Sequence, residues 1–356
     1  MRASLHQGSI PDDTHPVFPS TRYLGSKARL SEWIWGHLAE LPFHTCLDCF
    51  GGTGAMAYRL KQAGKQVTYN DALRFNYLIG KALIQNSRAR LCENQVEWLL
   101  ARHADVAYAG LVQDTFAAIY YTDAENAWID QTVANIRALP DDDQQALAYF
   151  ALFQSCIVKR PFNLFHRRNL YLRLAQVARG FGNKASWDRP FHEWFRAFAA
   201  EGSRAVFDNG QSNRALLGDA AAVPGRFDLV YIDPPYLPAR GAGVDYRDYY
   251  HFLEGLAEYD RWVGQIDRAS RHRRLLRQPS PWIDRALIHD AFDRLFQRFQ
   301  DSILVVSYRG DGIPSQPELV SLLRRYKKRV RAFSYGAYQY ALSTNTASSE
   351  ILLIGV

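Results

Sequence analysis

The sequence predicts an α/β fold: an open, mostly parallel sheet with helices on both faces, interrupted by a mainly helical insertion. Three observations predict it. A strand, glycine turn, helix and second strand follow one another between His44 and Tyr69, which is the unit that builds parallel sheets. Long helical patterns then fill the chain from about Ala72 to Ser212, and short apolar runs resume at Phe227, Ser302 and Glu350.

In chain order, residues 1 to 20 are polar and proline-containing and are read as a flexible tail. Ser31 to Leu41 carries apolar residues at helical spacing behind Ser31 as cap. His44 to Phe50 is a short buried strand, Ala55 to Ala63 a helix ended by Gly64, and Gln66 to Tyr69 a second strand. Residues 73–212 contain a helix at Asp141 to Val158, the basic aromatic stretch RPFNLFHRRNLYLR and a Phe- and Trp-rich region, and are read as an inserted domain. Strands return at Phe227 to Ile232, Ser302 to Ser307 and Glu350 to Ile354, with a helix at Asp284 to Phe299 between them. Residues 21–72 and 213–356 therefore form one catalytic, cofactor-binding domain split by the insertion.

A chain of 356 residues with 47% hydrophobic content buries a sizeable core, which excludes a disordered protein. Its net charge of +7 suits a polyanionic partner. The first twenty residues lack the apolar centre of a secretory leader, and no apolar run is long enough to span a bilayer. A cytoplasmic protein with no membrane partner is expected. Four scattered cysteines fit a reducing compartment, and Cys46 and Cys49, spaced like half a zinc site without a second pair, are read as core residues rather than metal ligands.

The segment Asp48-Cys49-Phe50-Gly51-Gly52-Thr53-Gly54 joins the first strand to its helix. Glycines there let the backbone turn sharply and approach a ligand. Asp71, about twenty residues on at the end of the second strand, stands where an acidic side chain accepts hydrogen bonds from ribose hydroxyls. Together they predict an adenosine-containing cofactor. The loop alone also admits a nicotinamide enzyme.

Asp233-Pro234-Pro235-Tyr236 follows the apolar run Phe227 to Ile232. Two prolines cannot donate ladder hydrogen bonds, so the strand stops there, at the edge where open α/β sheets bind ligands. An exocyclic amine is a poor nucleophile because its lone pair is delocalised into the ring. If the Asp233 carboxylate and the Pro234 carbonyl accept its two hydrogens, the nitrogen is drawn toward tetrahedral geometry and becomes competent for direct in-line methyl transfer. Tyr236 offers a flat face for an extruded base. No metal is called for.

With these segments in register, the chain resembles the DNA adenine methylase family, in the class whose cofactor loop precedes the target-recognition insertion. Arg22-Tyr23-Leu24-Gly25-Ser26-Lys27, the Asp48 to Gly54 loop, Gly218-Asp219 and the DPPY tetrapeptide carry the likeness. The resemblance implies a Rossmann-like AdoMet-dependent methyltransferase fold with an inserted mainly helical target-recognition domain. It implies S-adenosylmethionine as methyl donor, adenine N6 in double-stranded DNA as acceptor, base flipping, a bacterial or phage setting and a cognate restriction enzyme as partner. It further implies that Tyr23, Leu24, Gly25, Ser26 and Lys27 hold the methionine end of the cofactor, with Lys27 on its carboxylate. Asp48, Phe50, Gly52 and Gly54 would line the pocket, Asp71 would take the ribose and Asp219 would lie near the adenine.

The family's DNA-reading hairpin is similar in character to Arg160 to Arg173, where Arg160, Asn163, Arg167, Arg168, Asn169, Tyr171 and Arg173 are the expected contacts to DNA. The run Arg268 to Arg277 is read equally well as a clamp on phosphates near the active site or as a solvated arginine-rich helix face. Two other classes compete. One is a methyltransferase acting on cytosine N4, RNA or a protein glutamine, which the leading Asp of the tetrapeptide disfavours. The other is a DNA-binding protein that has lost turnover, against which the intact Asp233, Tyr236 and glycine loop argue.

Overall fold

A computed structural model describes residues 16–177, 184–239, 243–337 and 349–356. Most of the expected tail, residues 1–15, and the end of the aromatic stretch Tyr335 to Tyr340 lie outside the described residues. Seven strands make one sheet in the order β3-β2-β1-β4-β5-β7-β6. They are β1 (Thr45–Asp48), β2 (Gln66–Asp71), β3 (Arg214–Leu217), β4 (Leu229–Ile232), β5 (Ile303–Arg309), β6 (Val330–Ala337) and β7 (Ser349–Gly355). The first five are parallel neighbours, and β7 is antiparallel to both β5 and β6.

Period-two alternation sends neighbouring side chains to opposite faces, and here both faces are covered. Cys46, Leu229, Tyr231, Val305 and Leu352 enter one core. Leu47, Val230, Ile232, Val306 and Leu353 enter the other. The larger core continues without a break from the sheet into the helices Asp142–Val158 and Phe191–Ala205 of the insertion, and into His251–Ala257 beyond β4. The smaller core is closed by Ile288–Arg298 and Gln316–Leu323.

The helix after β1 runs Ala55–Gln62 and stops at Gly64, whose φ of +73 is left-handed. At the N-terminus Ser31 is the first residue of the helix Ser31–Leu38 rather than its cap; Leu30 holds that position without a side-chain bond. Asp141, read as the first residue of the long insertion helix, is its cap: it accepts from the backbone N–H groups of Asp143 and Gln144. Strands β3 and β6 were not foreseen. Both lie at sheet edges, where exposed positions such as Arg214 and Arg331 break the apolar run that marks an inner strand. Among the described residues, no helix is long and apolar enough to cross a membrane.

Candidate active site

Strand order reverses between β1 and β4: the chain leaves β1 toward β2 and leaves β4 toward β5. A crevice opens at the carboxyl ends of strands at such a point. Asp48 ends β1 opposite Tyr231, and Asp233 follows β4, so the two acidic groups face one opening. A cavity of about 770 Å³ runs from Asp48 and the glycine turn to Asp233 and Tyr236. That volume suits a nucleoside-sized ligand.

The turn has a local cause. Gly52 and Gly54 adopt φ of +52 and +76, values that cost a side-chain-bearing residue. Gly51 serves packing instead, because a Cβ there would lie inside the Tyr69 ring, which is also pressed against Gly80. The Tyr69 hydroxyl donates to the Gly52 and Asn76 carbonyls at 2.7 and 2.9 Å. Asp71 ties the turn from the side: it accepts from Gly52 N at 2.9 Å, Leu73 N at 2.8 Å and Asn76 Nδ2 at 3.1 Å. Three donors leave a carboxylate room for about one more, so its capacity toward a ribose is narrower than expected.

Asp48 is 1% exposed, and its Oδ1 has no hydrogen-bond partner. Burial and the nearby Asp233 push its carboxyl up to about 8. An orphaned carboxylate oxygen facing a cavity fits a cationic donor group, and S-adenosylmethionine carries an ammonium and a sulfonium.

At the other end Lys27 Nζ donates to Asp233 Oδ1 at 2.8 Å and to the Tyr236 hydroxyl, and lies 3.5 Å from Glu350. Tyr236 reaches Glu350 Oε1 at 2.8 Å and Asp233 Oδ1 at 3.0 Å, and Ser307 donates to Glu350 Oε1 at 2.6 Å. Burial raises the Asp233 carboxyl to about 6; Lys27 pulls it down and Glu350 pushes it up. Lys27, expected on the cofactor's carboxylate, here bridges Asp233, Tyr236 and Glu350, as a buried ammonium takes the acceptors within reach. The Tyr236 ring lines the cavity but is anchored, with its hydroxyl in this network and its edge against Tyr308 at 5.2 Å.

Tyr23, Tyr246 and Tyr250 form a cluster of nearly parallel rings, with Tyr23 4.6 Å from Tyr250 and 5.4 Å from Tyr246 and those two 6.4 Å from each other. Gly25, Ser26, Phe50 and Asp219 also line the cavity. Leu24 packs on the core, and Gly54 starts the helix; neither lines it. Asp219 Oδ1 accepts from Ala221 N at 2.8 Å at the rim. Sequence reasoning missed Tyr246, Tyr250, Glu350 and Trp282, the last packed edge-on to Phe50 at 4.8 Å. The i, i+4 pair Tyr246 and Tyr250, and a lone acid entering the apolar strand ILLIG, were the signals present.

The expected DNA-reading hairpin is corrected. Residues 160–173 form a 3₁₀ turn, Pro161–Asn163, and a short helix, Leu170–Leu174, with no paired strands. Arg160, Asn169 and Arg173 are 1%, 3% and 4% exposed. Arg160 binds the Leu164, Tyr120 and Arg167 carbonyls and Asn169, while Arg173 binds Glu125 and the Tyr120 carbonyl, so these three brace the segment. Arg167, Arg168 and Tyr171 are exposed and Asn163 is half-buried. Cys46 and Cys49 are buried core residues.

The switch-point cavity has the glycine turn on one side and an acidic strand end on the other, at the place where open α/β sheets bind their ligands. The family model for D12 class N6 adenine-specific DNA methyltransferases matches residues 23–261, and the chain belongs to that family. It is similar to type II methyltransferase M2.HphI of Haemophilus parahaemolyticus, with 26% identity over 89% of this chain and 90% of that protein. It is 22% identical to M.NlaIII of Neisseria lactamica, over 86% of this chain and 88% of that one. M.FokI of Planomicrobium okeanokoites matches at 23% over 86% of this chain, which spans 47% of that longer relative. The sheet is thus a Rossmann-like methyltransferase fold.

Proposed function

We propose that this N6 adenine-specific DNA methyltransferase carries out its whole reaction in the one cavity, with S-adenosylmethionine on the glycine-turn side and the target adenine, turned out of double-stranded DNA, on the Asp233 side. The observation that carries the reading is the continuity of the cavity from Asp48 to Asp233. Bound there, the cofactor supplies an electrophilic methyl group on a sulfonium. Asp48 holds its ammonium, Asp71 the ribose, and Asp219 with Phe50 and Trp282 borders the adenine end. Asp233 and the Pro234 carbonyl accept the hydrogens of the target amine, and the carboxylate offsets the positive charge that develops on nitrogen. Lys27 keeps Asp233 ionised, and Glu350 fixes both Lys27 and Tyr236. Asp233 has only 13% of its side chain exposed, out of reach of a base still stacked in a duplex, and that burial supports extrusion of the target base.

The relatives named as type II methyltransferases support a role in the bacterial cytoplasm, protecting DNA against a cognate restriction enzyme. The test is transfer of labelled methyl from S-adenosylmethionine to duplex DNA and, separately, to RNA. Incorporation into DNA that Asp233→Ala abolishes is expected; absence of incorporation into DNA overturns the reading.

A further inference from the structure

Beyond β4 the chain builds a feature that composition alone presents as a charge run. Gln265 to Leu276 is a short antiparallel hairpin: Ile266 and Leu275 bridge, Asp267 N donates to Arg274 O at 2.8 Å, and Leu276 N donates to Gln265 O at 2.7 Å. Its tip closes through Ser270 N to Asp267 O and Arg273 N to Ser270 O, both at 3.1 Å, with Arg273 at φ +55. The base of the hairpin is part of the active-site mouth, because Gln265, Leu276 and Arg277 line the cavity.

The arginines divide into two groups. Arg274 is neutralised by Asp267 at 3.2 Å, with Asp248 at 3.9 Å. Arg268, Arg271 and Arg273 on the hairpin, and Arg277 just beyond it, have among the described residues no carboxylate within ion-pair distance, and Arg268, Arg271 and Arg277 are exposed. Three unneutralised cations on one small hairpin repel each other, a cost that an anionic partner reverses.

The hairpin is also fastened to the segment 160–168. The buried Tyr120 hydroxyl donates in a bifurcated bond to the Phe165 carbonyl at 2.5 Å and the His272 carbonyl at 3.0 Å, and lies 2.7 Å from His251 Nε2. That neighbouring segment presents Phe162, 49% exposed at φ +63, with Asn163 at φ +58 and the exposed Arg167 and Arg168. Two successive side-chain-bearing residues in the left-handed region persist only where the surroundings hold them, and the buried Arg160 does so from beneath. One hydroxyl thus locks two basic projections together, one of them rooted at the cavity mouth.

We propose that the Gln265 to Leu276 hairpin is a phosphate clamp for DNA: Arg268 and Arg271 engage backbone phosphates beside the extruded base, and the Phe162 to Arg168 turn forms the opposing jaw. This rests on the function proposed above. Direct phosphate contacts release counterions, so each one lost makes the slope of log K against log salt shallower by about 0.9. The experiment measures duplex binding by the full chain across a salt series, with methyl transfer followed on the same duplex. R268A/R271A is expected to shallow the slope by about 1.8, raise KM for DNA at least tenfold, and leave cofactor affinity and the thermal midpoint unchanged. R268K/R271K is expected to keep the slope, because phosphate needs charge and not a fork. The exposed pair R324A/R329A is the control.

If R268A/R271A keeps the wild-type slope, or the control pair changes it equally, the clamp is overturned while the methyltransferase reading stands. Loss of affinity in R268K/R271K would overturn the phosphate assignment in favour of base-edge contacts. A wild-type chain that transfers no methyl to DNA fails at the earlier step and takes the clamp with it.

Discussion

Replacing Lys27 with methionine removes the ammonium that sits 2.8 Å from Asp233 Oδ1. Asp233 titrates near 6 because burial raises it, Lys27 lowers it and Glu350 raises it. Unit charges with centres about 4 Å apart attract by roughly 4 kcal/mol at an effective dielectric of about 20, or about 3 pKa units. Relaxation and water entry leave a shift of roughly one to three units. Only the ionised carboxylate accepts both an amine hydrogen and the charge that follows, so activity falls as pH drops through the Asp233 pKa. The acid limb of kcat is therefore expected near pH 6 in the wild type and between about 7 and 9 in Lys27→Met. Glu350→Gln removes a like charge while keeping an oxygen for Tyr236 and Ser307, and should move the limb the other way. The assay is the initial rate of methyl transfer at saturating DNA and cofactor from about pH 5 to 9.5. A Lys27→Met limb at or below the wild-type value, or two variants shifting in the same direction, would refute the reasoning.

Three further outcomes are expected. Gly51→Ala forces a methyl into the buried Tyr69 ring and should cost about 1–3 kcal/mol in urea unfolding, together with weaker cofactor binding; unchanged stability would contradict the packing role. Arg160→Ala, which empties a cage of carbonyls, should destabilise by roughly 3 kcal/mol or more, whereas the exposed Arg167→Ala should stay within about 0.5 kcal/mol. Asp48, titrating near 8, is mostly protonated at neutral pH. A cationic ligand favours its ionised form, so calorimetry in buffers of differing ionisation heat should read release of most of one proton on cofactor binding. Asp48→Asn should release none, and proton uptake by the wild type would count against the assignment.

Features with local causes were legible in the sequence. The glycine turn, Gly64 as helix stop and the proline-terminated β4 each follow from what one or two residues can or cannot do in φ, ψ and hydrogen bonding. Inner strands were visible because burial on both faces demands an apolar run, and β3 and β6 were not, because an edge relaxes that demand. The acid-limb network was hidden because Glu350 meets Lys27 only after the whole sheet has closed around them. Arginines misled for the same reason: Arg160 in a cage of carbonyls and Arg268 on a hairpin tip are the same letter, and only long-range packing distinguishes a brace from a binding group. Within the cavity, Gly51 shows that even a correctly placed loop can owe one of its glycines to a tyrosine beneath it rather than to a ligand.

The most direct measurement digests DNA from an unmethylated source after incubation with the purified chain and S-adenosylmethionine, and identifies the modified nucleoside by mass. N6-methyladenine from the wild type, and none from an Asp233→Ala variant that still binds the cofactor, is the predicted result. Modified cytosine instead, or an Asp233→Ala variant that methylates within tenfold of the wild-type rate, would contradict a grip on adenine's amine at the end of β4.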